Sequence, residues 1–261
     1  DFDNTGIALK LYSALPAWSW LDSTVQLRST ISYEFNHRYF NPINPYRSVE
    51  FARDWNIESQ IGTTDHLPQL KLSAIVGSHF ELNLEQQRLI RSNDFKATRN
   101  DITGIWQDSV YRFKLNYNYL VSNDLLEKSN FHRPTVSIQR RLTKNWKLSV
   151  QALRDRNERR FIANDSIAAG SFFFDTYETM LENNTSENFK FSFSAKHRLD
   201  YKADTNQFSK LSRATEALLE TQWELKRFGR LNFKLSGRDL NFISKAMDDS
   251  LGSIYFLGNI D

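Results

Sequence analysis

Four arginines fall within one seven-residue stretch, at Arg154, Arg156, Arg159 and Arg160. A guanidinium group is planar and permanently charged, and its donors match the oxygens of phosphate and carboxylate groups. These four side chains are therefore candidate contacts for an anionic ligand such as the phosphates of lipopolysaccharide. The alternative is a solvated strand extension or loop, because acids within the same segment dilute its charge.

The other residues that could carry chemistry do not form a recognisable site. The chain has no cysteine, so disulfides, thiolate metal ligands and cysteine nucleophiles are excluded. Its histidines show no metal-binding spacing; they are His37, His66, His79, His132 and His197. Ser78 and His79 are adjacent, so on one strand they would point to opposite faces. The opening D-x-D-x-x-G has Tyr12 where a calcium loop needs an acid, so we expect a plain turn there. We expect no enzyme, no metal and no cofactor.

The elements that would position these residues are β-strands. From Tyr111 to Val121 apolar and polar residues alternate strictly, except at Leu120. A period of two indicates a strand with one apolar and one wet face. Its eleven residues match the length of a tilted strand that crosses a bilayer.

Similar runs recur along the chain and predict roughly ten to thirteen strands. The clearest of the others are Thr24–Phe35, Gln69–Leu84, Thr135–Leu142, Trp146–Ala152, Phe189–Tyr201, Ala217–Leu225 and Leu231–Leu235. No run approaches 18 apolar residues, which excludes a membrane-spanning helix. The mean hydropathy of −0.57 does not exclude a transmembrane barrel, since every second residue of such strands is polar.

The connections between these runs are of two kinds. Short ones follow Gln107, Leu142 and Leu225, and long charged ones are expected at Asn36–Ser48, Ser122–Arg133, Leu153–Gly170 and Lys202–Arg213. Short turns on one side and long loops on the other are typical of outer-membrane barrels. Aromatic residues near the strand ends would form the girdles of such a barrel.

One stretch resembles a known class of proteins. Asn44–Asn56 contains P-Y-R-S-V-E-F-A-R-D-W-N, which is similar to segments of large, β-rich cell-envelope proteins of the Bacteroidota, and Phe256–Asp261 resembles a strand opening in those chains. The resemblance implies an outer-membrane or surface location and a longer parent chain. It supplies no catalytic or binding residues.

Together these observations predict an all-β fold, an antiparallel meander that forms an outer-membrane β-barrel or a large arc of one. We expect residues 1–261 to be a single domain and a fragment of a longer protein. Its function would be transport, translocation or envelope assembly, with membrane lipid, lipopolysaccharide and other envelope proteins as partners. The net charge of +3 comes from mixed acids and bases and does not indicate nucleic-acid binding. The alternative is a soluble or periplasmic β-sheet module that acts as an adhesion or scaffold domain or as a lipid-conducting groove.

Overall fold

The computed structural model describes residues 7–20, 24–39, 55, 57, 62–183, 189–204, 206–225, 229–242 and 250–260. These residues form thirteen strands of one antiparallel sheet. The strands are β1 (Ala8–Trp20), β2 (Val25–Asn36), β3 (Asp65–Val76), β4 (Phe80–Arg91), β5 (Lys96–Gln107), β6 (Tyr111–Asn123), β7 (Glu127–Arg141), β8 (Trp146–Phe161), β9 (Phe172–Asn183), β10 (Phe189–Ala203), β11 (Phe208–Leu225), β12 (Gly229–Phe242) and β13 (Ser250–Ile260).

Strand order in the sheet equals strand order in the chain, so the predicted antiparallel meander is confirmed. Each strand lies beside its sequence neighbours, as expected where short connections join antiparallel strands. Within the described part of the chain, no helix has both the length and the apolar character needed to cross a membrane.

Residue contacts divide the chain into two compact units. Unit 1 holds residues 1–104, 116–133 and 157–171, and unit 2 holds residues 105–115, 134–156 and 172–261. Each unit contains hairpins of neighbouring strands.

The register puts the apolar residues of neighbouring strands on a common side, which we call the apolar face; the other side is the polar face. In unit 1, Ile31 lies opposite Leu70, and Leu72 lies opposite Leu84. In unit 2, Phe193 of β10 lies between Leu181 of β9 and Leu219 of β11. The predicted period of two therefore fixes the side-chain directions, since successive residues of a strand point to opposite faces.

The two hairpins expected at Thr143–Asn145 and Lys226–Arg230 join antiparallel strands. Leu142 N donates to Trp146 O across 2.9 Å, which closes the first turn. At the second, Leu225 pairs with Gly229, although residues 226–228 lie outside the described part of the chain. Both connections follow an odd-numbered strand of the meander, so they lie at the same end of the sheet. We call this end the tight-turn end.

One strand prediction was wrong and one strand was missed. The run Gln69–Leu84 is two strands, because Gly77, at a φ of +57°, opens a turn between β3 and β4. Strand β1 was missed because its alternation changes phase: the register with β2 shifts between Leu15 and Trp18. A bulge of this kind adds a residue to one strand and reverses the parity of the residues beyond it.

Two of the expected long connections are also wrong. Strands β6 and β7 run almost to their junction, where Asp124 N donates to Glu127 O across 2.9 Å. Strands β10 and β11 are likewise closed by a bond from Asp204 N to Gln207 O at 2.8 Å. The charged residues of these segments therefore extend the strands. Most of Asn36–Ser48, the segment Asn44–Asn56 apart from Trp55, and the opening Asp1–Gly6 lie outside the described residues.

A small hydrophobic core lies in unit 1, on the polar face. Trp55 belongs to the connection between β2 and β3, and it is buried with four side chains from β4, β5, β6 and the turn before β5: Leu89, Phe95, Ala97 and Leu120. Leu120 is the residue that breaks the alternation of its strand, and it is only 1% exposed. Its apolar side chain on the polar face is thus explained by contact with this core.

Candidate functional site

The polar face of unit 1 carries a hydrogen-bonded chain of side chains across three strands. Ser32 on β2 donates to Gln69 on β3 across 2.9 Å, and Gln69 donates in turn to Glu85 on β4. The Glu85 carboxylate also pairs with Lys71 Nζ at 3.0 Å. Further along the same unit, Arg99, Asp101 and Asn118 form a second cluster across β5 and β6. Such networks satisfy the charges while leaving them on a wet surface.

The polar face of unit 2 carries cross-strand ion pairs between β11 and β12. Lys234 Nζ lies 2.6 Å from Glu220 Oε1, and Arg238 Nε lies 3.2 Å from Glu216 Oε1. All four side chains are between 43% and 54% exposed, so they border solvent. Exposed pairs of this kind contribute little to stability, typically below about 1 kcal/mol. They suit a surface that is in contact with water and add little to the cohesion of the sheet.

The apolar face is exposed over much of its area. In unit 1, Ile31, Leu72 and Val76 keep 51%, 41% and 43% of their surface exposed. In unit 2, Leu115 and Val150 keep 46% and 47% exposed. An exposed, contiguous apolar surface marks contact with a membrane or another protein.

Aromatic side chains border the apolar face of unit 2 at the tight-turn end. Trp106 packs against Phe113 at a ring distance of 5.2 Å, and Trp146 packs against Phe191 at 5.3 Å. Trp223, near the end of β11, has its ring centroid 5.5 Å from that of Phe189. The aromatic residues near strand ends therefore form a border row in this unit, which is the arrangement expected of an interfacial girdle.

A groove of about 450 Å³ lies in the apolar face of unit 1. Leucines from β1 to β4 are half of its ten lining residues, which also include Trp18 and Ala74. The groove suits a hydrocarbon chain, because removing its apolar walls from water lowers the free energy of the system.

The structure does not bring the four arginines together. Arg154 and Arg156 point to the apolar face of unit 2, beyond the aliphatic residues. Arg154 Nε donates to Asp175 Oδ1 across 2.7 Å. Arg156 lies over the rings of Phe173 and Phe208, at 5.8 Å and 5.2 Å from their centroids.

Arg159 and Arg160 belong to unit 1 and point to opposite faces, as neighbours on β8. Arg159 lies on the polar face and pairs with Glu127 across 2.6 Å. Arg160 lies close to the turn after β8 and pairs with Glu158 across 2.5 Å. The turn itself is closed by bonds between Phe161 and residues 165 and 166. The four arginines thus do not form one site: Arg154 and Arg156 share the Phe173 ring, whereas Arg159 and Arg160 each pair with a carboxylate of their own.

Three histidines lie on the apolar face and bond to hydroxyl groups. His66 Nδ1 is 2.6 Å from Tyr33 Oη, and His197 Nδ1 is 2.9 Å from Thr215 Oγ1. His132 bonds to Tyr117 in the same way. Ser78 and His79 lie in the turn after β3 rather than on a strand, and their side chains meet at 3.1 Å, which corrects the expectation that they point apart. Within the described residues no group of three or more acids and histidines could hold a metal ion.

Sequence patterns alone missed the cross-strand pairs of the polar face. The alternation marks Lys234 and Glu220 as polar-face residues, but only the register of β11 against β12 makes them partners. The same holds for Arg112, Arg141 and Lys147, which neighbouring strands bring to one pocket. The only signal in the sequence is the basic character of the residues beside two tight turns.

Comparisons with known proteins give no family. No family model matches the chain, and no curated protein matches it. Among solved structures, the chain is similar to the NanC porin at 11% identity and a TM-score of 0.36, over 74% of this chain and 91% of the porin. It is also similar to the siderophore receptor PirA from Pseudomonas aeruginosa at 11% identity and a TM-score of 0.46, over 98% of this chain. The match spans 62% of that receptor. Both scores are below 0.5, so the fold assignment rests on the strand pairings.

Proposed function

We propose that this chain is the transmembrane sheet of an outer-membrane β-barrel, or a large arc of one, and that it serves transport across the outer membrane. The apolar face contacts lipid and the polar face borders a water-filled lumen. The observation that carries this proposal is that most exposed large hydrophobic strand residues of each unit share one face, while the pairs Lys71–Glu85, Lys234–Glu220 and Arg238–Glu216 lie on the other.

The position of the core argues for lipid as the environment of the apolar face. In a soluble two-layer protein, the apolar face of a sheet would be covered by a second layer. Here the buried cluster around Trp55 and Leu89 lies on the polar face, and Ile31 and Leu72 on the other side remain exposed. Leaving such area in water costs about 25 cal/mol per Å². A bilayer removes this cost, and a closed sheet satisfies its backbone groups within it.

Transport is the activity that fits the polar face. The lysine, arginine and glutamate side chains that form ion pairs between β11 and β12 are about half exposed, which suits the wall of an aqueous passage. Envelope assembly and translocation are the other functions proposed for such a sheet. A location in Bacteroidota-type envelopes rests on the sequence resemblance of residues 44–56 and 256–261 alone.

A second candidate is the lipid-conducting module, and the groove beside Trp18 and Leu27 favours it. In that function the groove would hold one acyl chain while the rest of the protein stayed in water. The two candidates differ in how much of the apolar face contacts lipid.

Two single-tryptophan variants separate these functions. One retains only Trp146, on the apolar face, and the other retains only Trp55, in the core of the polar face. Both are folded into vesicles that contain brominated lipid, which quenches tryptophan fluorescence on contact. A transmembrane sheet gives strong quenching of Trp146 and little quenching of Trp55. Equal, weak quenching of both, with protein that stays monodisperse without detergent, would favour the soluble module.

Transport itself is tested by the entry of small polar solutes into proteoliposomes. The expected result is solute flux above that of empty vesicles. A chain that inserts, as judged by Trp146 quenching, yet gives no flux would retain the membrane location and refute transport by residues 1–261.

We further propose that lipopolysaccharide contacts the apolar face of unit 2 at Arg154 and Arg156. Both guanidinium groups lie beyond the aliphatic band, and Arg156 lies over two aromatic rings. A cation held above aromatic rings beside an apolar surface suits a lipid with phosphate groups next to its acyl chains. Arg159 is not part of this site, because it points to the polar face.

A further inference from the structure

A pocket of about 230 Å³ opens on the polar face of unit 2, at the tight-turn end. Strands β5 to β8 contribute its polar-face residues, and the turn between β5 and β6 also lines it. The side chains that line it are mainly basic or amide, and they include Gln107, Arg112, Gln139, Arg141 and Lys147. None of them belongs to the four-arginine segment of residues 154–160.

The positive charges of this pocket are largely uncompensated. Arg112 and Arg141 are exposed and form no ion pair with any described residue. Lys147 Nζ lies 3.8 Å from Glu182 Oε1, which is a long contact. The acid in the pocket, Asp108, accepts the backbone N–H groups of Val110 and Tyr111 at 2.7 Å and 2.6 Å, so its carboxylate closes the turn.

The backbone fixes the two arginines relative to one another. Arg141 N donates to Val110 O across 2.7 Å, which locks β7 beside β6 where the pocket begins. Arg112 and Gln139 belong to the same paired strands and face the same side. The sites of positive charge are therefore set by the sheet register, although the side chains themselves remain free to turn toward a ligand.

We propose that this pocket binds a phosphate group, carried by a small polar molecule. Two guanidinium forks and one ammonium group match a phosphate dianion, and arginine offers parallel donors to its oxygens. The amides of Gln107 and Gln139 supply neutral donors and acceptors for the part of the molecule beyond the phosphate. This site is a property of the polar face and does not depend on transport.

Inorganic phosphate is the probe that tests the site. It is titrated by calorimetry into the folded chain at constant ionic strength, with acetate as a second anion. We expect saturable binding of phosphate, binding about tenfold weaker for Arg112→Gln and for Arg141→Gln, and weaker binding of acetate. Acetate binding as tight as phosphate binding would overturn the choice of phosphate.

The matched control is Arg140→Gln. Arg140 is adjacent to Arg141 but lies on the apolar face, 5.5 Å from the ring centroid of Tyr111. Its loss removes the same charge from a residue that does not itself line the pocket, so phosphate affinity should stay within twofold of that of the unaltered chain. Absence of saturable binding, or an equal loss in all three variants, would refute the site.

A measurement on the unaltered chain covers the case in which a variant fails to fold. Phenylglyoxal modifies arginine side chains, and peptide mapping reports each position separately. Phosphate should slow the modification of Arg112 and Arg141 and leave that of Arg140 unchanged. Equal protection of all three, or of none, would contradict the proposal.

Discussion

Arg91 Nε donates to Asp65 Oδ1 across 3.0 Å, and the two side chains are only 4% and 0% exposed. The pair joins the first residue of β3 to the last residue of β4 on the polar face. Thr63 donates a second hydrogen bond to the same carboxylate at 2.8 Å. An ion pair this deeply buried is costly to break, because the remaining charge has no water to solvate it.

Asp65→Ala should therefore destabilise the chain strongly. We expect a loss of about 3–5 kcal/mol in the free energy of unfolding, since Arg91 would remain buried without its partner. Urea unfolding monitored by circular dichroism measures this loss. The double variant Asp65→Ala, Arg91→Leu should recover much of it, and a double variant as unstable as the single one would contradict the explanation.

Trp55 should be the most costly aromatic residue of unit 1 to truncate. Its side chain is 2% exposed and packs against Leu89, Phe95 and Leu120. Trp55→Ala should lower the free energy of unfolding by about 3–5 kcal/mol, since it leaves a cavity among these side chains. Trp55→Phe, the conservative control, should lose clearly less. A cost below about 1 kcal/mol for Trp55→Ala would mean that the core does not anchor this connection.

The sequence predicts the strands well where the alternation is unbroken. In β6 and β10 every apolar-face residue follows from parity alone, and the register confirms it for Phe191 and Phe193. The prediction fails where one residue changes the phase or direction of the chain. A register shift between Leu15 and Trp18 hid β1, and the turn at Gly77 was read as continuous strand.

The candidate sites were less predictable because they depend on long-range contacts. Four neighbouring arginines suggested one anionic site. Strand residues alternate between the two faces, so Arg159 points away from Arg154 and Arg156 and pairs with Glu127 on the other face. Conversely, Arg112 and Arg141 are 29 positions apart in the sequence and lie at one pocket only because β6 and β7 pair. Local composition cannot indicate such a pairing without the register.

The proposed lipopolysaccharide contact predicts a difference between two arginines that lie over phenylalanine rings. Arg156 lies over Phe173 on the apolar face, and Arg198 lies 4.0 Å from the ring centroid of Phe174 on the polar face. Arg156→Gln should weaken lipopolysaccharide binding several-fold at low salt, whereas Arg198→Gln should leave it unchanged. The check is the amount of lipopolysaccharide that co-purifies with each variant, measured across a salt series. If both variants bind as the unaltered chain does, Arg156 is a solvated strand residue.

The two faces predict opposite responses to a new charge. Leu115 lies on the apolar face of unit 2 with 46% of its surface exposed, and Gln151 lies on the polar face of the same unit. Leu115→Arg should lower the free energy of unfolding in vesicles by roughly 2–4 kcal/mol, because a guanidinium group near the bilayer centre must leave water. Gln151→Arg should change it by less than about 0.5 kcal/mol, as is usual for a wet surface.

Cysteine variants at Leu115 and Lys114 give an independent check with a water-soluble thiol reagent. The Lys114→Cys variant should react and the Leu115→Cys variant should be protected by lipid, and equal reaction at both positions would show that the apolar face is not in contact with a membrane.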